Sequence, residues 1–262
     1  MIDTHCHLYS DEFSSDLDLV MKRAFDTGIE RYYMPAIDSS TTDAMLEVEN
    51  RYPGICIAMM GLHPCSVNEN YIQELQHVEE WLSKRSFAAI GEIGLDFYWD
   101  KTFIEQQYLA FRKQADLALY YDLPIVIHSR NATAETIQVI KEYEGKGLRG
   151  IFHCFGGSLE EAGHITNAGF YLGIGGVITY KNSGLAEVIA AVDLKYIVLE
   201  TDAPYLAPVP FRGKRNESSY IKVIAAKVAE SKKIALEEVI GITTENAFRI
   251  FEKSGSYKPG NV

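Results

Sequence analysis

Two imidazoles stand two residues apart in the segment DTHCH, His5 and His7. In extended backbone that spacing turns both rings to one side while Cys6 faces the other, where a small core residue fits. Two nitrogen donors on one face are half of a metal site. The remaining donors each follow an apolar run: His63 in GLHP, Glu92 and Asp96 in AAIGEIGLDF, His128 in LPIVIHSR, His153 in GIFHCFGG, and Glu200 and Asp202 in YIVLETDAPYL. His5, His7, His128 and His153 with Glu92 and Asp202 exceed what one tetrahedral ion uses. The set therefore points to two divalent ions about 3.5–4 Å apart that share a carboxylate. Glu92 is the expected bridge and Asp202 the expected acceptor of a proton from an attacking water, a hydrolytic chemistry. Mixed imidazole and carboxylate ligation suits Mg2+, Mn2+ or Zn2+ without choosing among them. Asp96 and Glu200 are expected to orient ligand imidazoles, which usually donate their second N–H to a carboxylate or carbonyl.

Such a set works only if its members meet. Short apolar runs alternate with segments of helical period to the end of the chain, the pattern of βαβ units. The predicted strands are Met1–His5, Arg31–Pro35, Ile55–Met60, Ala88–Ile93, Pro124–His128, Gly150–His153, Gly169–Gly173 and Tyr196–Glu200. Between them lie predicted helices, among them Thr102–Tyr120 with Ile104, Tyr108, Phe111, Ala115 and Leu119 as the stripe facing the sheet. Ser219–Ser231 and Ala235–Phe251 read as closing helices. Eight parallel strands could form an open doubly wound sheet or a closed (β/α)8 barrel. The polar residues follow the carboxyl ends of six different strands, and only a barrel gathers those ends around one mouth. The expectation is a single (β/α)8 barrel domain over residues 1–262, a length typical of that fold.

Composition narrows the class. Hydrophobic residues are 47% and charged residues 23%, ordinary for a globular domain, so neither disorder nor a fibre is indicated. No apolar run is long enough to span a bilayer, and the first residues lack the basic and apolar regions of a secretion signal. A cytoplasmic location is expected, and four cysteines without a CxxC pair suit a reducing compartment. The net charge of −11 argues against a broad nucleic-acid surface, but ions and a few arginines can reverse the field within one cleft. His63, Arg130 and Arg212 are the candidate substrate contacts, with Lys214 and Arg215 beside them. Tyr98, Trp99, Tyr180 and Phe211 could stack on unpaired bases, which would favour single strands. No obligate protein partner is evident, and a monomer is expected.

The segments DTHCHL, GLHP, GEIGLD, PIVIHSR, HCFGG, GIGG and ETDAPYLAP, taken in order, resemble the TatD family of metal-dependent deoxyribonucleases in the amidohydrolase-like barrel superfamily. The resemblance runs from Ile2 to about Phe251. It implies His5, His7, Glu92, His128, His153 and Asp202 as metal ligands and exonucleolytic hydrolysis of DNA as the activity. One departure lies in RGKRNESS, where Ser218 stands in place of the family's usual proline. A small-molecule amidohydrolase or lactonase using the same ion pair is the alternative, and many such enzymes carry a carboxylated lysine where this chain has Glu92. A non-catalytic metal-storing barrel that binds protein partners fits less well, because structural sites are closed by four tight Cys or His ligands whereas this set is open and contains oxygen donors.

Overall fold

Strand and helix alternate throughout the computed structural model, which describes residues 1–252. The strands are β1 (Ile2–Asp3), β2 (Arg31–Pro35), β3 (Cys56–Met59), β4 (Ile90–Asp96), β5 (Ile125–Arg130), β6 (Gly150–Phe152), β7 (Tyr171–Ile174) and β8 (Ile197–Leu199). The helices are α1 (Leu17–Asp26), α2 (Thr42–Arg51), α3 (Tyr71–Lys84), α4 (Ile104–Tyr121), α5 (Thr133–Lys141), α6 (Leu159–Asn167), α7 (Leu185–Ala191), α8 (Ile221–Lys232) and α9 (Leu236–Phe251).

All ladder pairs are parallel and join strands consecutive in the chain, β1 to β3 in one run and β4 to β8 in another. Irregular bonds close the two gaps. Between β3 and β4, Met60 bridges Ile90 and its carbonyl accepts the Gly91 N–H at 3.0 Å. Between β8 and β1, the Leu199 carbonyl accepts the Thr4 N–H at 3.1 Å, the His5 carbonyl accepts the Asp202 N–H at 2.9 Å, and the Ala203 carbonyl accepts the His7 N–H at 2.7 Å. The expected (β/α)8 barrel is the observed fold. β2 matches its apolar run; β1, β3, β6, β7 and β8 pair over fewer residues than theirs, whereas β4 and β5 run further, to Asp96 and Arg130. β1 keeps only two residues in its ladder, so His5 and His7 sit on the irregular segment that seals the barrel, not on regular strand.

Period-two alternation stacks the interior. Val126, Ile151 and Val198 belong to one buried apolar cluster with Ala247, Phe248 and Ile250 of α9. His128, His153 and Glu200 lie one pleat step further along the same faces. Helix α9 therefore closes the amino-terminal end, and the polar residues occupy the opposite one. The predicted stripe on α4 is corrected: Ile104, Tyr108 and Leu119 are only half-buried, and the inward face is Gln107, Ala110, Phe111, Gln114, Ala115 and Ala118. Small residues let this helix approach the sheet, and the two glutamines are buried because their amides bond open backbone groups. Gln107 pairs with the N–H and carbonyl of Asp96 at 2.9 and 3.2 Å, and Gln114 with those of Leu62 at 2.7 and 3.2 Å.

Candidate metal centre

Glu92 stands at the centre of the mouth. The ladder between β4 and β5 shifts register between Ile90 and Ile93, an irregularity of the kind that re-aims a side chain beside a functional site. Its two carboxylate oxygens face different ring groups. Oε2 lies 3.1 Å from His5 Nε2 and 3.7 Å from His7 Nε2. Oε1 lies 2.8 Å from His128 Nδ1, 3.4 Å from His153 Nε2 and 3.3 Å from His63 Nε2. Asp202 holds a left-handed φ of 57° just past β8 and presents Oδ1 to His7 Nε2 at 3.5 Å and to His5 Nε2 at 3.7 Å. The His5 and His153 rings stack with centroids 3.5 Å apart.

The far side of each ring decides which nitrogen faces inward with a lone pair. His128 Nε2 meets Asp96 Oδ2 at 2.8 Å, and His153 Nδ1 meets Glu200 Oε1 at 3.1 Å. A carboxylate there takes the N–H and leaves the other nitrogen basic. Asp96 and Glu200 thus stand where sequence reasoning expected orienting carboxylates. His63 differs. Its Nδ1 accepts the Cys65 N–H at 3.0 Å, so in the neutral ring Nε2 carries the proton and faces Glu92 as a donor.

Electrostatics agree with this division. Burial pushes the Glu92 carboxyl upward, but the surrounding His63, His153 and His5 rings hold it well below the usual carboxylate range. Burial likewise opposes ionisation of Asp202, and His7, His153 and His5 reverse that and keep it low. His5 and His63 are pushed down by burial, against the pull of Glu92. Burial also disfavours protonation of His153, yet Glu200 and Glu92 raise it to about 10; His128 is raised against burial by Asp96 and Glu92. This pocket demands positive charge. Protons supply it in part, and cations between the rings would satisfy the same field with better geometry.

Divalent ions fit the donors present. His5, His7 and Glu92 form one group whose ligand atoms lie within 4.8 Å of one another; His5, His153 and Asp202 form a second, and His63, Glu92 and His128 a third. His5 Nδ1, fully buried, makes no hydrogen bond among the described residues, so nothing competes for that ring except the centre itself. Cys154 also lies near His153 and Glu200, but burial pushes its thiol up and keeps it protonated, a poor donor.

Of the candidate substrate contacts, Arg130 leaves β5 with its guanidinium 3.9 Å over the Tyr98 ring and 5.2 Å over that of Trp99. Both rings are largely exposed, and the loop carrying them is anchored by Asp96 Oδ1, which accepts the Tyr98 and Trp99 N–H groups at 2.8 and 3.0 Å. Arg212 lies 4.5 Å over Tyr180. Two expectations change. Arg215 is held by Asp16 at 2.7 Å, and Phe211 stacks on Tyr220 at 3.9 Å, so both are engaged within the fold. Ser218 is buried and opens a single 3-10 turn ahead of α8.

Sequence reasoning missed several supporting groups. Asp3 ties β1 to the β8 exit through the Thr201 N–H at 2.9 Å and hydroxyl at 2.6 Å, and burial raises its carboxyl to about 7. Tyr9 bonds His7, and Gln107 and Gln114 fix the backbone beside Asp96 and His63. Only the glutamines left a trace in the sequence, at helical spacing i, i+7 on the face of Phe111.

Imidazoles and carboxylates gathered at the carboxyl end of a (β/α)8 barrel, in a mixed nitrogen and oxygen donor set, define a metal-dependent hydrolase. The family model described as TatD related DNase matches residues 2–252, and the chain belongs to the TatD family. It is 39% identical over 252 residues to the metal-dependent hydrolase YabD of Bacillus subtilis, covering 96% of this chain and 98% of that one. Among solved structures it resembles the TatD homologue YjjV of Escherichia coli K12, with a TM-score of 0.90 at 30% identity over 97% and 98% of the two chains. A TatD family hydrolase of Entamoeba histolytica follows with a TM-score of 0.82 at 25% identity over 96% and 98%. No helix among the described residues is long and apolar enough to cross a membrane.

Proposed function

We propose that the protein is a deoxyribonuclease that uses two divalent ions to hydrolyse phosphodiester bonds at DNA ends. The observation that carries the reading is the split of Glu92, one oxygen toward His5 and His7 and the other toward His128 and His153. Two ions, one in each half, would share that carboxylate, with Asp202 completing the first half. Bound there, Mg2+, Mn2+ or Zn2+ would polarise a phosphoryl oxygen and acidify a water for attack.

The residues around that centre have separable tasks. Asp202, ionised and facing the mouth, accepts the proton of the attacking water as the new oxygen–phosphorus bond forms and the ester bond breaks. His63, neutral with its proton on Nε2, donates to a phosphate oxygen. Asp96 and Glu200 hold the rings of His128 and His153. Arg130 and Arg212 supply local positive charge to an otherwise acidic chain, and both lie over aromatic rings suited to an unpaired base. The family's name supports DNA as substrate, and the exposed Tyr98 and Trp99 support a single-stranded or frayed end.

The test is release of nucleotides from an end-labelled oligonucleotide by chelator-treated protein with Mg2+, Mn2+ or Zn2+ restored, beside a panel of lactones and amides. Metal-dependent release, faster on single strands than on blunt duplex under the same salt, is expected. Absence of release together with lactone or amide turnover would establish the small-molecule hydrolase instead. Equal or faster cleavage of blunt duplex would overturn the single-strand preference alone.

A further inference from the structure

Tyr9 serves none of the tasks assigned above, yet its hydroxyl sits between two named partners. Tyr9 Oη donates to the Pro35 carbonyl at 2.6 Å, at the end of β2, and lies 2.9 Å from His7 Nδ1. A carbonyl oxygen cannot donate, so the single phenolic proton is committed to Pro35. The hydroxyl can then meet His7 only as an acceptor. His7 Nδ1 must carry a proton, and in the neutral ring Nε2 then holds the lone pair, directed at Glu92 and Asp202.

We infer that Tyr9 is a positioning residue that fixes the tautomer and tilt of His7, so that Nε2 is the nitrogen the neutral ring offers to the centre. The chain from the β2 carbonyl through Tyr9 to His7 does with a neutral phenol what Asp96 does for His128 and Glu200 for His153. Local geometry permits it because the segment turns immediately after His7, the Ser10 N–H closing onto the His7 carbonyl at 2.9 Å. That turn brings Tyr9 back beside the ring, with centroids 5.7 Å apart and planes at 79°. Tyr205 borders the same ring edge-on at 5.9 Å, so His7 is packed as well as bonded.

The inference rests on His7 being a metal ligand, and the experiment separates the two claims. Nitrogen-15 NMR of the histidine rings in chelator-treated wild-type protein is expected to show His7 as the Nδ1–H tautomer; Tyr9→Phe, which removes only the hydroxyl, should yield a mixture. Calorimetric titration with Mn2+ should then show one of two binding events weakened about 10-fold in Tyr9→Phe and the other unchanged, the size typical of losing a group behind a ligand. A wild-type His7 whose neutral ring carries its proton on Nε2, with Nδ1 bare, would overturn the inference without recourse to any variant. So would a Tyr9→Phe protein that binds both ions with wild-type affinity. If wild-type protein took up no Mn2+ while the Nδ1–H tautomer was observed, the ligand assignment of His7 would fall, and with it the role given to Tyr9.

Discussion

Replacing Gly173 by alanine would place a methyl group against the carboxylate that orients His153. A Cβ built at Gly173 stands 2.8 Å from Glu200 Cδ, closer still to Oε2, and 3.2 Å from the His153 Cα. Carbon atoms pack comfortably at about 3.5–4.0 Å, so the Glu200 carboxylate must retreat by about 1 Å. The His153 Nδ1 to Glu200 Oε1 contact of 3.1 Å would then lengthen past hydrogen-bond range, and the Cys154 N–H that shares Oε1 would lose its partner as well. Overpacking of this kind costs about 1–3 kcal/mol, or about 2–10 °C in Tm for a chain of this size. The functional loss should be larger, about 10- to 100-fold in metal affinity, because a ligand imidazole loses the group that sets its tautomer and basicity. Titration of chelator-treated protein with Mn2+ measures this directly. Glu200→Ala should reproduce the loss, and the double variant should add little, since both act on one contact. Wild-type metal affinity in Gly173→Ala, or fully additive losses in the double variant, would refute the role given to Glu200.

Other consequences can be measured separately. Asp202→Ala should lower turnover by about 10²–10⁴ with only a modest change in Tm, because the side chain lies at the mouth and outside the apolar core; near-normal turnover would remove it as the proton acceptor. His153 has a folded pKa of about 10 against an unfolded value of about 6.5, so in chelator-treated protein its stabilising contribution is full below about pH 6.5 and is lost as pH rises toward 10. Bound ions compete with that proton, so the Tm increase produced by Mn2+ should grow across the same window, and thermal melts in which it shrinks would contradict the assignment. Gln107→Leu leaves the Asp96 N–H and carbonyl without their amide partner, at about 1–3 kcal/mol for each orphaned group; a denaturation midpoint equal to wild type would show the amide to be dispensable.

The sequence by itself determined the fold class and the roster of chemical groups. Strand period, helix period and the placement of histidines and carboxylates at strand ends are local properties, visible because apolar runs must alternate with amphipathic ones to bury a parallel barrel. Strand ends were less legible: β1 pairs over two residues while β4 and β5 run past their apolar stretches, because ladder length depends on the neighbouring strands, which no local pattern records. The same holds for the inward face of α4, where burial of Gln107 and Gln114 depends on backbone groups of Asp96 and Leu62 that are distant in the chain. For the donors themselves, residue type indicates that His7, His63, His128 and His153 can bind or donate, but not which nitrogen carries the proton. Only the tertiary structure decided that, by setting the Asp96 and Glu200 carboxylates behind His128 and His153, the Tyr9 hydroxyl behind His7, and the Cys65 N–H behind His63. An imidazole's role follows from the partner of its far nitrogen, and apart from Tyr9 and Cys65, each two residues from its ring, those partners come from elsewhere in the chain.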